Sequence, residues 1–223
     1  MTEEEIVKKV LEMDVTDISE SARRPFVGTV VWAKLPCNCK LCEKGKQRRQ
    51  FEGYPAQLHI VVFPLEEYEN VQSFWYGIRD SKVTLLSGFG AFIHSLHTTL
   101  AKKGIVITKI GELVKFMVGK VFKFEYMTVG EYYKKVTNEE PPKRISEQAI
   151  KKYQYFVTDY YDEKMYEISF SGKWGSYTDM LKTAKAKVEE WYKQKVEEQE
   201  AEEKQDEIEK AFEEQFDLSI KLE

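Results

Sequence analysis

Cys37, Cys39 and Cys42 stand within a six-residue stretch and are the only cysteines of the chain. Thiolates this close suit a soft or borderline cation, because one turn presents them together at little conformational cost. Zinc asks for four such donors in a tetrahedron, so three cysteines leave one position to fill. His59 is the nearest histidine, separated from Cys42 by 16 residues. A loop that leaves one strand and returns to the next would bring it against the cysteine turn. The expected product is a closed Cys3His structural zinc site. It would pin the polar segment 36–56, 21 residues that are otherwise too long to stay ordered. The competing readings are three free thiols in a loop and a redox pair of Cys39 and Cys42, for which no second feature speaks. An odd number of clustered cysteines argues against a disulfide framework.

Directly behind the cysteines come Lys44, Lys46, Arg48 and Arg49, then Phe51 and Tyr54. Cations track phosphates and rings stack on unpaired bases, so this interleaving suits a single strand of nucleic acid. Trp32, Lys34, Trp75, Tyr76, Arg79, Lys82, Lys120 and Lys123 extend the candidate path. Several of these rings have a plainer use in a core. Trp32 shares its predicted face with Val30, and Trp75 and Tyr76 are adjacent, so one of that pair points inward. Phe122, Phe124 and Tyr126 read as core before platform.

Charge is sorted along the chain. Residues 21–135 hold 18 Lys and Arg against 9 Asp and Glu, whereas residues 189–223 hold 5 against 14. A basic, aromatic-rich body with an acidic tail points to a polyanionic partner. The tail offers Phe212, Phe216 and Leu218 for docking replication or repair proteins. It is also suited to competing for the basic surface, or to serving as no more than a solvated helix.

Other chemistries find no support. There is no GxxxxGK[ST] loop, and Gly88 and Gly90 read as a tight turn before a helix. His94 and His97 fall at the border or surface of that helix, and no catalytic constellation can be placed, so no enzyme is expected. No run of 18 apolar residues occurs, and the acidic start MTEEEIVKKVLEMD lacks the apolar stretch of a signal peptide. A cytoplasmic protein without membrane contact is expected.

The elements that must position these residues follow from periodicity. Thr2 and Glu5 cap a short helix over 2–12. Strands are predicted at 26–35, 57–63 and 71–78, with 82–86 extending or following the third. In the first, Gly28, Val30, Trp32 and Lys34 share one face. A helix follows Gly88, its stripe carried by Phe89, Phe92, Ile93, Leu96 and Leu100 and its end by Gly104. Residues 106–114 read as a connector and 119–129 as a strand with Phe122, Phe124 and Tyr126 on one side. Pro141 and Pro142 mark a boundary. Over 145–170 Ile150, Tyr153, Val157 and Tyr160 fit a helix, while KMYEISFS fits a strand. From Tyr177 a long helix runs toward the C-terminus.

The order strand–strand–strand–helix–strand resembles the OB domains of phage and archaeal single-stranded-DNA-binding proteins. The likeness spans about residues 26–129, from QLHIVVF through SKVTLLSGFGAFIHSL to GELVKFMVGKVFKFEY. It implies a mainly β fold, an OB-like, partly open five-stranded barrel with a zinc-bearing loop. The expected organisation is an N-terminal helix (1–20), the OB-like domain (21–135), a connector (136–176) and an acidic helical extension (177–223). The expected function is sequence-tolerant binding of single-stranded nucleic acid, DNA foremost. A zinc-stabilised protein adaptor and a nucleic-acid-processing enzyme are the alternatives.

Overall fold

The computed structural model describes residues 24–47, 54, 56–66, 70–78 and 83–220, with only the backbone of 44–47 and 206–220. The predicted N-terminal helix, Arg48, Arg49, Phe51, Arg79, Lys82 and the side chains of Lys44, Lys46, Phe212, Phe216 and Leu218 lie outside this description.

In chain order the elements are β1 (Phe26–Lys34), α1 (Lys40–Gln47), β2 (Ala56–Pro64), β3 (Gln72–Ile78), α2 (Gly88–Lys102), α3 (Ile110–Met117), β4 (Val121–Thr128), α4 (Val129–Thr137), α5 (Glu147–Ile150), β5 (Tyr153–Tyr161), α6 (Glu163–Trp174) and α7 (Tyr177–Ile220). The five strands form one open antiparallel sheet in the order β3-β2-β1-β4-β5. The first four make a Greek key, since β4 returns over a long connection to lie beside β1. Helix outweighs strand, so the expectation of a mainly β chain is replaced by a sheet with helices on both faces.

The fifth strand comes from the segment read as a connector. Tyr153–Tyr161 pairs with β4 along its length, and the stretch that suggested a strand, KMYEISFS, is helical. Pairing with β4 decides this, with Thr158 as an extra residue opposite the step from Lys123 to Phe124. Tyr155, Val157 and Tyr160 enter the main core beside Phe122 and Phe124, whereas Phe156 packs on Tyr132 from the other side. Asp162 then starts α6, its carboxylate accepting the Met165 N–H at 2.8 Å. Residues 83–86 form a turn instead of a strand, and the supposed connector contains α3.

A bulge in β1 rearranges its faces. Val30 pairs with Val62, but Trp32 pairs with Val61, so Val31 is the extra residue. Beyond it Ala33 and Leu35 join Phe26 and Val30 on the core face, and Trp32 joins Val27 on the opposite one. Val30 and Trp32 therefore do not share a face, contrary to simple alternation.

Two cores result. One lies between the sheet and α2 with α3, where Leu58, Ile60, Val62, Phe92, Leu96, Phe122 and Phe124 are buried. The other lies between the sheet's far face and α6 with α7, built on Val61, Phe63, Val121, Tyr166, Met180, Ala184 and Val188. Helix α2 also occupies the gap between the edge strands. Phe92 stacks on Tyr76 of β3, and Ser95 and Thr99 satisfy the outward N–H and C=O of Val157 in β5. The two edges approach directly as well: the Tyr76 hydroxyl donates to the Tyr155 carbonyl at 2.6 Å. No helix among the described residues is long and apolar enough to cross a membrane.

Candidate metal centre

The loop after β1 turns back on the sheet at Cys37, whose N–H donates to the Gln57 carbonyl of β2 at 3.1 Å. Cys39 precedes α1 and closes its first turn by accepting the Glu43 N–H. Cys42 lies three residues on, one helical turn later, so both sulfurs reach the same side. His59 is on β2, on the face opposite Leu58 and Ile60, as alternation requires.

These elements bring Cys37, Cys39, Cys42 and His59 together, with all four donor atoms within 4.8 Å of one another. The His59 Nδ1 lies 3.5 Å from the Cys39 sulfur and 3.7 Å from the Cys37 sulfur. Zn–S and Zn–N bond lengths in a tetrahedron place neighbouring donors about 3.5–3.8 Å apart, so these edges have the size a metal needs. Cys37, Cys42 and His59 are buried, so a metal held by all four donors would sit in a closed centre. His59 is also oriented from behind. Its Nε2 lies 2.8 Å from Ser73 Oγ, which keeps the Nδ1 lone pair toward the sulfurs.

Charge in the cluster has one natural place. Hydrogen bonds from Cys37, then Cys42, hold the Cys39 thiol far below its ordinary range. The Cys42 thiol is pushed up by its bonds to Cys37 and Cys39 and by burial. Three thiolates cannot crowd together without a cation between them, whereas a bound metal ionises all three.

Aromatic rings wall the site. Trp75 stacks on His59 at 4.7 Å and 12°, and Trp32 tilts against it at 5.5 Å. Helix α7 covers the opening: the Tyr192 ring packs on Trp32, and its hydroxyl accepts the Lys40 N–H at 3.2 Å. Burial, and next the charge of Cys39, raise the Tyr192 hydroxyl above its ordinary value. Gln57 is buried on the His59 face, and its amide nitrogen has no acceptor among the described residues; the same holds for the Trp32 indole nitrogen. N–H donors of this kind suit a centre that carries net negative charge.

The other predicted contacts divide. Tyr76 is 1% exposed and presents no ring face to solvent, so it is a core residue and not a stacking one. Trp32 and Trp75 serve the metal centre's wall. Lys34 is exposed over the Trp32 ring, Lys120 lies over Phe116, and Lys123 pairs with Glu125. The residues that sequence reasoning missed are Ser73 and Tyr192. Ser73 sits diagonally across from His59, an offset that becomes readable only once the β2–β3 register is known.

A cleft of about 600 Å3 opens where α2 no longer fills the gap between β3 and β5. Its walls are Tyr54 from the β1–β2 connection, the end of β3 at Gly77 and Ile78, the β3–α2 connection and the first turn of α2, the β4–β5 connection from Ser146 to Lys152, and Gln154 at the start of β5. Tyr54 lies flat enough on Gly77 that a Cβ there would overlap its ring. Comparison of the chain with protein families, with curated proteins and with solved structures finds no match.

Proposed function

We propose that this chain binds single-stranded nucleic acid on an OB-like, partly open barrel whose β1–β2 connection is held by structural zinc. The observation that carries the reading is the position of the cleft. It lies between the β1–β2 and β4–β5 connections at the opening of a five-stranded Greek-key sheet, and OB barrels take oligonucleotides between those two connections. The cysteine turn and α1 begin the connection that ends at Tyr54, so the metal would stiffen one bank of the cleft. The basic run from Lys44 to Arg49 lies on the same connection.

Affinity would come from phosphate neutralisation and base stacking, and would fall steeply with salt. The four donors and their edge lengths favour zinc, which takes Cys3His sets in structural sites. The metal would supply folding energy to the loop and no chemistry.

Fluorescence anisotropy with labelled oligo-dT and with a duplex of equal length tests the function. Tight, salt-dependent binding of the single strand over the duplex is the expected result. Absence of binding to either at low salt rejects it. Metal analysis of protein purified without added zinc should give one equivalent, lost in a Cys39→Ser, Cys42→Ser double variant.

A further inference from the structure

Gln154 stands at the start of β5 and is 9% exposed, yet its side-chain oxygen has no hydrogen-bond partner among the described residues. Buried acceptors are rarely left unmade without a reason in function. Gln154 is one of the residues that line the cleft, and its carboxamide rests on Gly88, where an added Cβ would overlap it. A side chain at position 88 would displace the Gln154 amide, the far end of a flexible side chain.

Gly88 is also the first residue of α2, a 15-residue helix whose first turn lines the same cleft. The leading N–H groups of a helix have no acceptor within it and carry partial positive charge. Ser87 caps one of them, the Gly90 N–H, at 3.0 Å. Gly88 and Phe89, the remaining residues of that turn, border the cavity beside the exposed Lys152. The cleft is therefore bordered by an unpaired hydrogen-bond acceptor, a helix N-terminus and the exposed Lys152. Its volume lies in the range of small-ligand sites, about 300–1,000 Å3.

We propose that this cleft seats one nucleotide of the strand. Gln154 would hydrogen-bond the N–H-bearing edge of the base, and a flanking phosphate would lie at the first turn of α2 near Lys152. The base edge answers the unpaired oxygen, since each base offers an N–H there. The phosphate answers the positive end of the helix. The proposal rests on the single-strand reading above and adds a base-contacting residue to it.

The test compares the full chain with Gln154→Leu and Lys152→Ala on an oligo-dC, and on the same oligonucleotide with abasic sites throughout. Gln154→Leu should weaken oligo-dC binding about tenfold, the size of one lost hydrogen bond to a base, and leave abasic binding unchanged. Lys152→Ala should weaken both and lower the salt slope by about one. Thermal melting checks the fold, and Gln154→Glu, which keeps size but sets a carboxylate at the helix N-terminus beside the phosphate, is a second variant. If the parent binds both oligonucleotides and Gln154→Leu and Gln154→Glu match it on each, the nucleotide seat is wrong while the single-strand reading stands. A parent that binds neither removes both.

Discussion

His59 and Ser73 are joined by a 2.8 Å hydrogen bond between imidazole Nε2 and the serine hydroxyl, so the ring offers its other nitrogen to the cysteine sulfurs. Ser73→Ala should free the ring and weaken metal retention about 10–100-fold, the usual cost of losing a partner behind a ligand. Competition with a zinc-sensitive chelator measures it. His59→Ala should lose the metal altogether, and equal retention in Ser73→Ala and the parent would remove the orienting role.

Helix α7 has two parts with different consequences for truncation. Val188 and Val196 are buried, Tyr192 lies over Trp32, and Glu200 reaches Lys40 at 3.6 Å. A chain ending after Gln205 keeps these contacts and should melt with the parent. One ending after Val188 uncovers Trp32 and should melt about 5–10 °C lower, with faster loss of metal to chelator. If the acidic end competes for the strand, the chain ending after Gln205 should bind oligo-dT more tightly at low salt. Unchanged affinity there would leave the tail without that role.

The free edge of β5 depends on two hydroxyls of α2. Ser95 Oγ accepts the Val157 N–H at 3.1 Å and Thr99 donates to the Val157 carbonyl at 3.2 Å. Ser95→Ala strands a buried N–H and should cost about 1–3 kcal/mol. Urea unfolding with an unchanged slope would report it. Thr99→Val leaves a carbonyl that has a second lone pair and should cost less.

One pair should contribute to a decline of stability at both ends of the pH scale. The Tyr132 hydroxyl lies 2.8 Å from His94 Nδ1. Burial pushes Tyr132 up to about 12. Its folded form therefore holds the proton more tightly than the unfolded chain, and stability should fall between about pH 10 and 12. Burial, and then His97, lower His94. The unfolded chain binds that proton more readily, so stability should also fall as pH drops below about 6.5. Tyr132→Phe should lessen the alkaline arm of a melting-temperature profile without abolishing it, since burial also raises Tyr76, Tyr160, Tyr161, Tyr166, Tyr177 and Tyr192.

Much of the architecture is readable from local pattern. β2, β3, β4 and α2 show clean periods of two or 3.6, and Gly104 ends α2 at a φ of 76°. The cysteine spacing marks a turn able to ligate a metal, and His59 emerges because alternation puts it on the face opposite the core. β5 was hidden because Tyr153, Val157 and Tyr160 fit a helical stripe, and only the extra residue Thr158, opposite the step from Lys123 to Phe124, puts Val157 and Tyr160 on one face of a strand. Trp32 was misplaced because a bulge is a property of the pair of strands, invisible in either one.

The amino-acid sequence by itself determined the donor set, the sorting of charge and the elements whose side chains repeat at a fixed period, since each depends on neighbours a few residues apart. Tertiary structure alone decided which strand completes the sheet, which face Trp32 joins, that Tyr192 packs over the wall of the Cys3His cluster, and that Gln154 and the first turn of α2 share a cleft. These depend on strand register and helix docking, which bring residues such as Gly88 and Gln154 into contact across long separations. Burial of two separate apolar faces of one sheet, one by α2 and α3 and the other by α6 and α7, is the physical reason they fall where they do.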